Sequence, residues 1–182
     1  ANERRLQGAA GALEAGDAVQ APQAWRTALE EGLYPTNFIT ERSIEWLGQH
    51  ARGADRDRPF LLQCSFPDPH HPFTPPGRYW SMYAPEDVEL PPSFDAPADL
   101  APPHKRALHD ELAQGRRRTS GSRAIAVSAD EARQAIALNY GAISMVDDAI
   151  GRVLHTLREL GLDDDTVVIF LSDHGDFMGD HG

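Results

Sequence analysis

The sequence predicts an α/β domain, and three observations carry that prediction. A long amphipathic helical pattern opens at Ser128 and runs to about Gly161. A few residues later the chain enters Thr166 to Ser172, a strand-length segment whose five inner residues are all apolar. A second apolar run, Phe60 to Phe66, also follows a helical segment. A long helix returning directly into a buried strand is α/β organisation, with the sheet covered by helices.

Each element has its own signal. Residues 1–33 form an N-terminal segment rich in Ala, Gly and Glu, in which Ala24 to Glu31 has the composition of a short helix. From residue 34 to 182 the pattern reads as the main domain. Thr36 or Asn37 can cap a helix whose Ile39, Ser43, Trp46 and Leu47 share one side at helical spacing, ending near Gly53. After Arg58-Pro59 the run Phe60 to Phe66 reads as a mostly buried strand, stopped by Pro67-Asp68-Pro69-His70-His71-Pro72 because proline cannot continue a ladder. Pro67 to Pro103 is Pro-rich and irregular, with Tyr79, Trp80, Met82 and Tyr83 as packing anchors. Residues 104–127 are polar and read as a surface excursion. Ser128 and Glu131 form a capping box, and Ile136, Tyr140, Ile143, Ile150, Leu154 and Leu157 keep a 3.6-residue apolar stripe up to a Gly161 stop.

Composition removes several function classes. Hydrophobic residues make up 41% and charged residues 25%, the values of an ordinary globular domain. Net charge is −11, from 28 acidic against 17 basic residues, which disfavours a nucleic-acid surface. The basic cluster Arg116-Arg117-Arg118 lies among Gly, Thr and Ser and reads as a solvated turn. No run approaches the ~18 apolar residues of a membrane span. The single cysteine rules out an internal disulfide. The first residues lack the apolar core of a signal peptide, and the compartment stays open between cytoplasm and periplasm.

Two places carry chemistry. Asp173 and His174 follow the apolar run Val167 to Leu171, and in open α/β sheets ligands gather beyond the carboxyl ends of strands. An adjacent carboxylate and imidazole offer oxygen and nitrogen to a divalent cation, with Gly175 and Gly179 allowing tight turns. The residues alone leave two readings open, a metal site or a capped turn, since two ligands do not close a shell. The second place is Pro69-His70-His71-Pro72, where a histidine could bond an anionic group or protonate a leaving group. An incidental histidine pair in a proline-rich loop is the other reading there.

The pairing of Ser172-Asp173-His174-Gly175-Asp176-Phe177-Met178-Gly179-Asp180-His181-Gly182 with Asp68-Pro69-His70-His71-Pro72-Phe73 closely resembles the sulfatases of the alkaline phosphatase superfamily. That group includes arylsulfatases, choline sulfatases and phosphonate monoester hydrolases. The resemblance spans about residue 34 to 182. It implies an alkaline-phosphatase-like sandwich with a mostly parallel central sheet flanked by helices, of which this chain is a part. It further implies that Asp173 and His174 are ligands of the catalytic divalent cation, calcium in the first place, with manganese, magnesium or zinc as alternatives. His70 becomes a contact to the sulfate or phosphate group near the leaving oxygen, His181 a residue behind the metal ligands, and His71 a structural neighbour. The implied partner is a small anionic sulfate, phosphate or phosphonate ester, with no nucleic acid, no membrane, and oligomerisation left open.

The resemblance also makes absences visible. The family's nucleophile is formylglycine made from Cys or Ser in Cys/Ser-x-Pro-x-Arg, and no such motif occurs. Cys64 is followed by Ser65, Phe66, Pro67 and Asp68, and inside an apolar run it behaves as a small hydrophobe. The family's paired aspartates on the first strand and its lysine beyond the Asp-His-Gly motif are missing too. The expectation is therefore a central piece of a sulfuric ester hydrolase, inactive unless another chain completes it. A phosphonate or phosphodiester hydrolase of the same superfamily and a non-catalytic truncated product are the alternatives.

Overall fold

A computed structural model describes residues 19–97, 100–116 and 125–182. Three α-helices organise it: α1 (Pro35–Arg52), α2 (Pro103–Ala113) and α3 (Ala129–Glu159), with short 3-10 turns at Glu31–Leu33, Gly77–Ser81 and Pro85–Asp87. None of these helices is long and apolar enough to cross a membrane.

α3 is the spine, and its ends follow the sequence closely. The Ser128 side chain accepts from Glu131 N at 3.3 Å, and Ser128 N donates to Glu131 Oε2 at 2.8 Å, completing the expected capping box. At the other end Gly161 adopts φ +64°, Gly161 N donates to Arg158 O, and Leu162 N reaches back to Leu157 O. That pair of bonds is a Schellman motif, and the left-handed residue it requires is a glycine here.

The buried face of α3 keeps Ile136 and Leu157 of the expected stripe but is turned between them. Leu138, Ala142, Met145 and Ala149 are buried, whereas Tyr140 and Ile143 are exposed. Small residues face inward because α1 and the Gly77–Ser81 turn approach closely. Gly141 marks the tightest point: a Cβ there would sit 2.1 Å from Tyr79 O. The turn is held by Tyr79, whose hydroxyl donates to Asp148 Oδ2 at 2.7 Å, and by Arg78 on the same carboxylate. The interleaved aromatics thus act as packing anchors, with Tyr79 buried and Tyr83 bonded to Ser144 across 2.9 Å.

α1 begins with Pro35 at its first position after Tyr34, so neither Thr36 nor Asn37 is the cap. Its buried stripe is Thr36, Thr40, Ser43 and Leu47, while Trp46 stays at the surface, stacked on His50. Two further expectations fail. Ala24 to Glu31 is not helical: Ala24 instead forms an isolated parallel bridge with Phe73. Residues 104–113 are not a loose excursion but most of α2, whose polar surface hid a helix started by Pro103. Arg117 and Arg118 lie outside the described residues.

The expected sheet does not form among the described residues. Phe60 to Phe66 takes no regular secondary structure, and its side chains alternate strictly between half-buried and exposed. The inner face lies on α1, where Ser43 Oγ meets Cys64 Sγ at 2.7 Å, while Leu61 points out, 94% exposed. Thr166 to Ser172 likewise takes no regular secondary structure; Val167 is 86% exposed and Val168 to Leu171 are exposed with it. Burial of a strand depends on neighbours to either side, and none of the described residues pairs with this run.

Candidate active site

The histidine turn is anchored from two helices. Asp68, at its start, accepts the Thr36 hydroxyl at the first turn of α1 and the Tyr34 hydroxyl at 3.3 Å. Tyr34 in turn shares a 3.0 Å bond with Thr74. Burial, opposed by these hydroxyl bonds, raises the Asp68 carboxyl above its usual range, and burial likewise raises the Tyr34 phenol. From the other side, Asn139 of α3 donates to Pro69 O at 3.0 Å. The Asp68–Pro69 and His71–Pro72 bonds are both cis. The His70 ring is exposed, and its Nδ1 lies 2.5 Å from His71 O. A carbonyl only accepts, so Nδ1 carries the proton, and Nε2 of the neutral ring faces outward as an acceptor.

Asp173 and His174 are held differently, by their own backbone. His174 N donates to Asp173 Oδ1 at 2.9 Å, Ser172 Oγ donates to His174 O at 2.8 Å, and His174 Nδ1 lies 2.8 Å from Gly175 O. The Gly175 carbonyl fixes the proton on Nδ1, which leaves Nε2 for a ligand, 3.6 Å from Asp173 Oδ2. Metal-binding histidines are oriented in this way, with the second ring nitrogen donating to a carbonyl. The bond to Gly175, then the Asp173 charge, raise the His174 pKa. Both side chains are open to solvent, Asp173 87% and His174 67%. Among the described residues no three His, Cys, Asp or Glu side chains converge, and no hydrogen bond or ion pair joins His70 to Asp173 or His174. As donors, Asp173 and His174 fit part of a metal shell, not a whole one.

The residues beyond Asp173-His174 fold back against α2. Lys105 Nζ donates to Gly182 O at 3.0 Å, His109 Nε2 donates to His181 O at 2.5 Å, and the Ser93 hydroxyl donates to Asp180. Met178 and His181 take positive φ in this run. The His181 ring Nδ1 is buried without a hydrogen-bond partner, and its ring centroid stands 6.5 Å from that of Phe177. This fold-back forms one side of a half-open pocket of about 200 Å³, lined by His71 and Phe73 from the histidine turn, Lys105 from α2, and Asp176 and Phe177 from the terminal run. The two sequence motifs, 100 residues apart, thus share a wall. Of the two histidines of the turn, His71 lines the cavity; His70 stands beside it, with ring centroids 4.1 Å apart. Sequence reasoning passed over Lys105, Asp68 and Asn139, because a lysine in a polar stretch and single residues bonded over 30 to 70 positions carry no local signal.

A model of sulfatases matches residues 7–182. The chain belongs to the sulfatase family. It is 36% identical over 152 residues to an arylsulfatase of Clostridium perfringens, covering 84% of this chain and 28% of that protein. It is 37% identical over 150 residues to the multifunctional alkaline phosphatase superfamily protein PehA of Trinickia caryophylli, covering 80% of this chain and 28% of the relative. Human iduronate 2-sulfatase is 29% identical over 159 residues, covering 84% of this chain and 28% of the relative. The chain therefore spans under a third of the length of these relatives. The sulfatases are a family of hydrolases that use a divalent cation and whose domain is α/β.

Proposed function

We propose that residues 34–182 supply one side of the active site of a metal-dependent sulfuric ester hydrolase. The observation that carries this reading is the His174 ring, whose Nδ1 proton is engaged by Gly175 O while Nε2 stands open beside the Asp173 carboxylate. Those two side chains would hold the cation, calcium in the first place, with manganese, magnesium and zinc as the other candidates. When bound, the cation supplies positive charge against the negative charge that builds up during ester cleavage. His70, exposed on an anchored turn with Nε2 free, is placed to meet the ester group and attend the leaving oxygen. His181 supports the run from behind. The mostly parallel sheet belongs to this proposal as well, with Phe60 to Phe66 and Thr166 to Ser172 as two of its strands. The nucleophile, for which the family uses formylglycine, comes from outside this sequence.

The similarity to PehA favours a second reading, in which the ester is a phosphonate or phosphodiester. Metal binding is tested on the chain itself by calcium and manganese titration, wild type against Asp173→Ala. Equal binding by both proteins would remove the ligand assignment. Reaction class is tested by transplanting residues 34–182 into the Clostridium perfringens relative and assaying 4-nitrophenyl sulfate against phenylphosphonate. There His70→Ala should lose turnover far more than substrate affinity, and an unchanged rate would return the turn to a packing role.

A further inference from the structure

The cavity shared by the two motifs contains a charge that ester hydrolysis does not use. Lys105, in the first turn of α2, is only 5% exposed. An ammonium carries three donors. Among the described residues Lys105 has one hydrogen bond, to Gly182 O at 3.0 Å, and its Nζ lies 5.4 Å from the centre of the Phe177 ring. Burial lowers its pKa, while Asp176 and Asp180 pull the other way without making an ion pair with it. Sequestering an ammonium with unfilled donors is costly, and such groups are normally paired. This one lines a cavity of about 200 Å³ whose other walls include Phe73, Val127 and Phe177, with His71 and Asp176 as polar members.

We propose that this cavity binds a small aromatic monoanion, its charged group on the Lys105 ammonium and its ring against Phe73 and Phe177. The volume lies below the ~300 Å³ at which pockets for drug-sized ligands begin, so the part of the ligand it covers is a single ring and its substituents. Asp176 in the same wall opposes a second negative charge, so a carboxylate or a sulfate monoester fits and inorganic sulfate does not. The proposal does not depend on the metal assignment, since neither Asp173 nor His174 lines the cavity.

Isothermal titration of the full chain with phenyl sulfate, benzoate, benzamide and inorganic sulfate tests it. At least one aromatic anion should bind, and benzamide and inorganic sulfate should bind at least about tenfold more weakly, the scale of one charge-assisted hydrogen bond. Preference between phenyl sulfate and benzoate identifies whether the anion is an ester or a carboxylate. Lys105→Met should weaken binding by a similar factor, Lys105→Arg should retain most of it, and Ala135→Phe, which fills the cavity from α3, should abolish it. Asp173→Ala should leave it unchanged even if it destroys calcium binding. Thermal melts establish that each variant is folded, and should Lys105→Met not fold, the arginine and Ala135→Phe variants decide. The proposal is overturned if the folded wild type binds neither anion, if benzamide binds as well as benzoate, or if Ala135→Phe or a folded Lys105→Met binds as wild type does.

Discussion

The two histidine-bearing motifs of this chain are built on opposite principles. The Asp68–Pro72 turn is anchored through partly buried bonds to α1 and α3, from residues 32 and 70 positions away. Among the described residues the Asp173-His174 pair is held by bonds within Ser172–Gly175 alone, and it faces solvent. The difference teaches where each motif gets its geometry. The turn's conformation is set by packing present in this chain, while the ligand pair is oriented locally and leaves its outer face free for whatever completes the shell.

Four measurements can break or sharpen that contrast. Asp68→Ala strands the fully buried Thr36 hydroxyl and should cost about 1–3 kcal/mol in chemical denaturation. A loss below about 0.5 kcal/mol would mean the anchor is ornamental. Asn139→Ala removes the second anchor and should cost about 1 kcal/mol, with a shift in the His70 imidazole NMR signals that a remote helix substitution does not produce. The third is pH. Because the folded state raises the Asp68 pKa, it holds that proton more tightly than the unfolded chain does. The Asp68 contribution is therefore present below the ordinary carboxyl range, about pH 4, and is lost as pH rises through the raised value. The stability of wild type relative to Asp68→Asn should fall across that window, and a constant difference would contradict the burial. The smallest effect is expected at the other motif: Asp173→Ala and His174→Ala should each change stability by no more than about 0.5 kcal/mol without metal. A larger loss would show that the pair is as embedded as the turn.

What could be read in the sequence followed the range of the forces involved. The capping box at Ser128 and the stop at Gly161 involve residues within five positions of one another, and both formed as expected. α2 was invisible because its docking is non-local: Lys105 and His109 find the carbonyls of Gly182 and His181 more than 70 residues on. The buried face of α3 was misjudged because an apolar stripe weights Tyr140 and Ile143 over alanines, although close helix approach selects Ala142, Ala149 and Gly141. The apolar content of Val167 to Leu171 predicts burial, yet burial belongs to a residue and its neighbours together. The site divided in the same way. Adjacent Asp173 and His174 were legible as a pair, whereas the cavity wall formed by Phe73, Lys105 and Phe177 exists only after folding.

The exposed run Val167 to Leu171 also has a colloidal consequence. Five consecutive apolar residues with high β propensity, no proline and no charge match the pattern of segments that stack into cross-β assemblies. Asp163-Asp164-Asp165 before it and Asp173 after it are the charges that keep copies apart. With net charge −11 that repulsion is strong at neutral pH, but it fades toward the isoelectric point near 5.0. Light scattering from the isolated chain should therefore climb as pH approaches 5, and Ile169→Lys should hold it down.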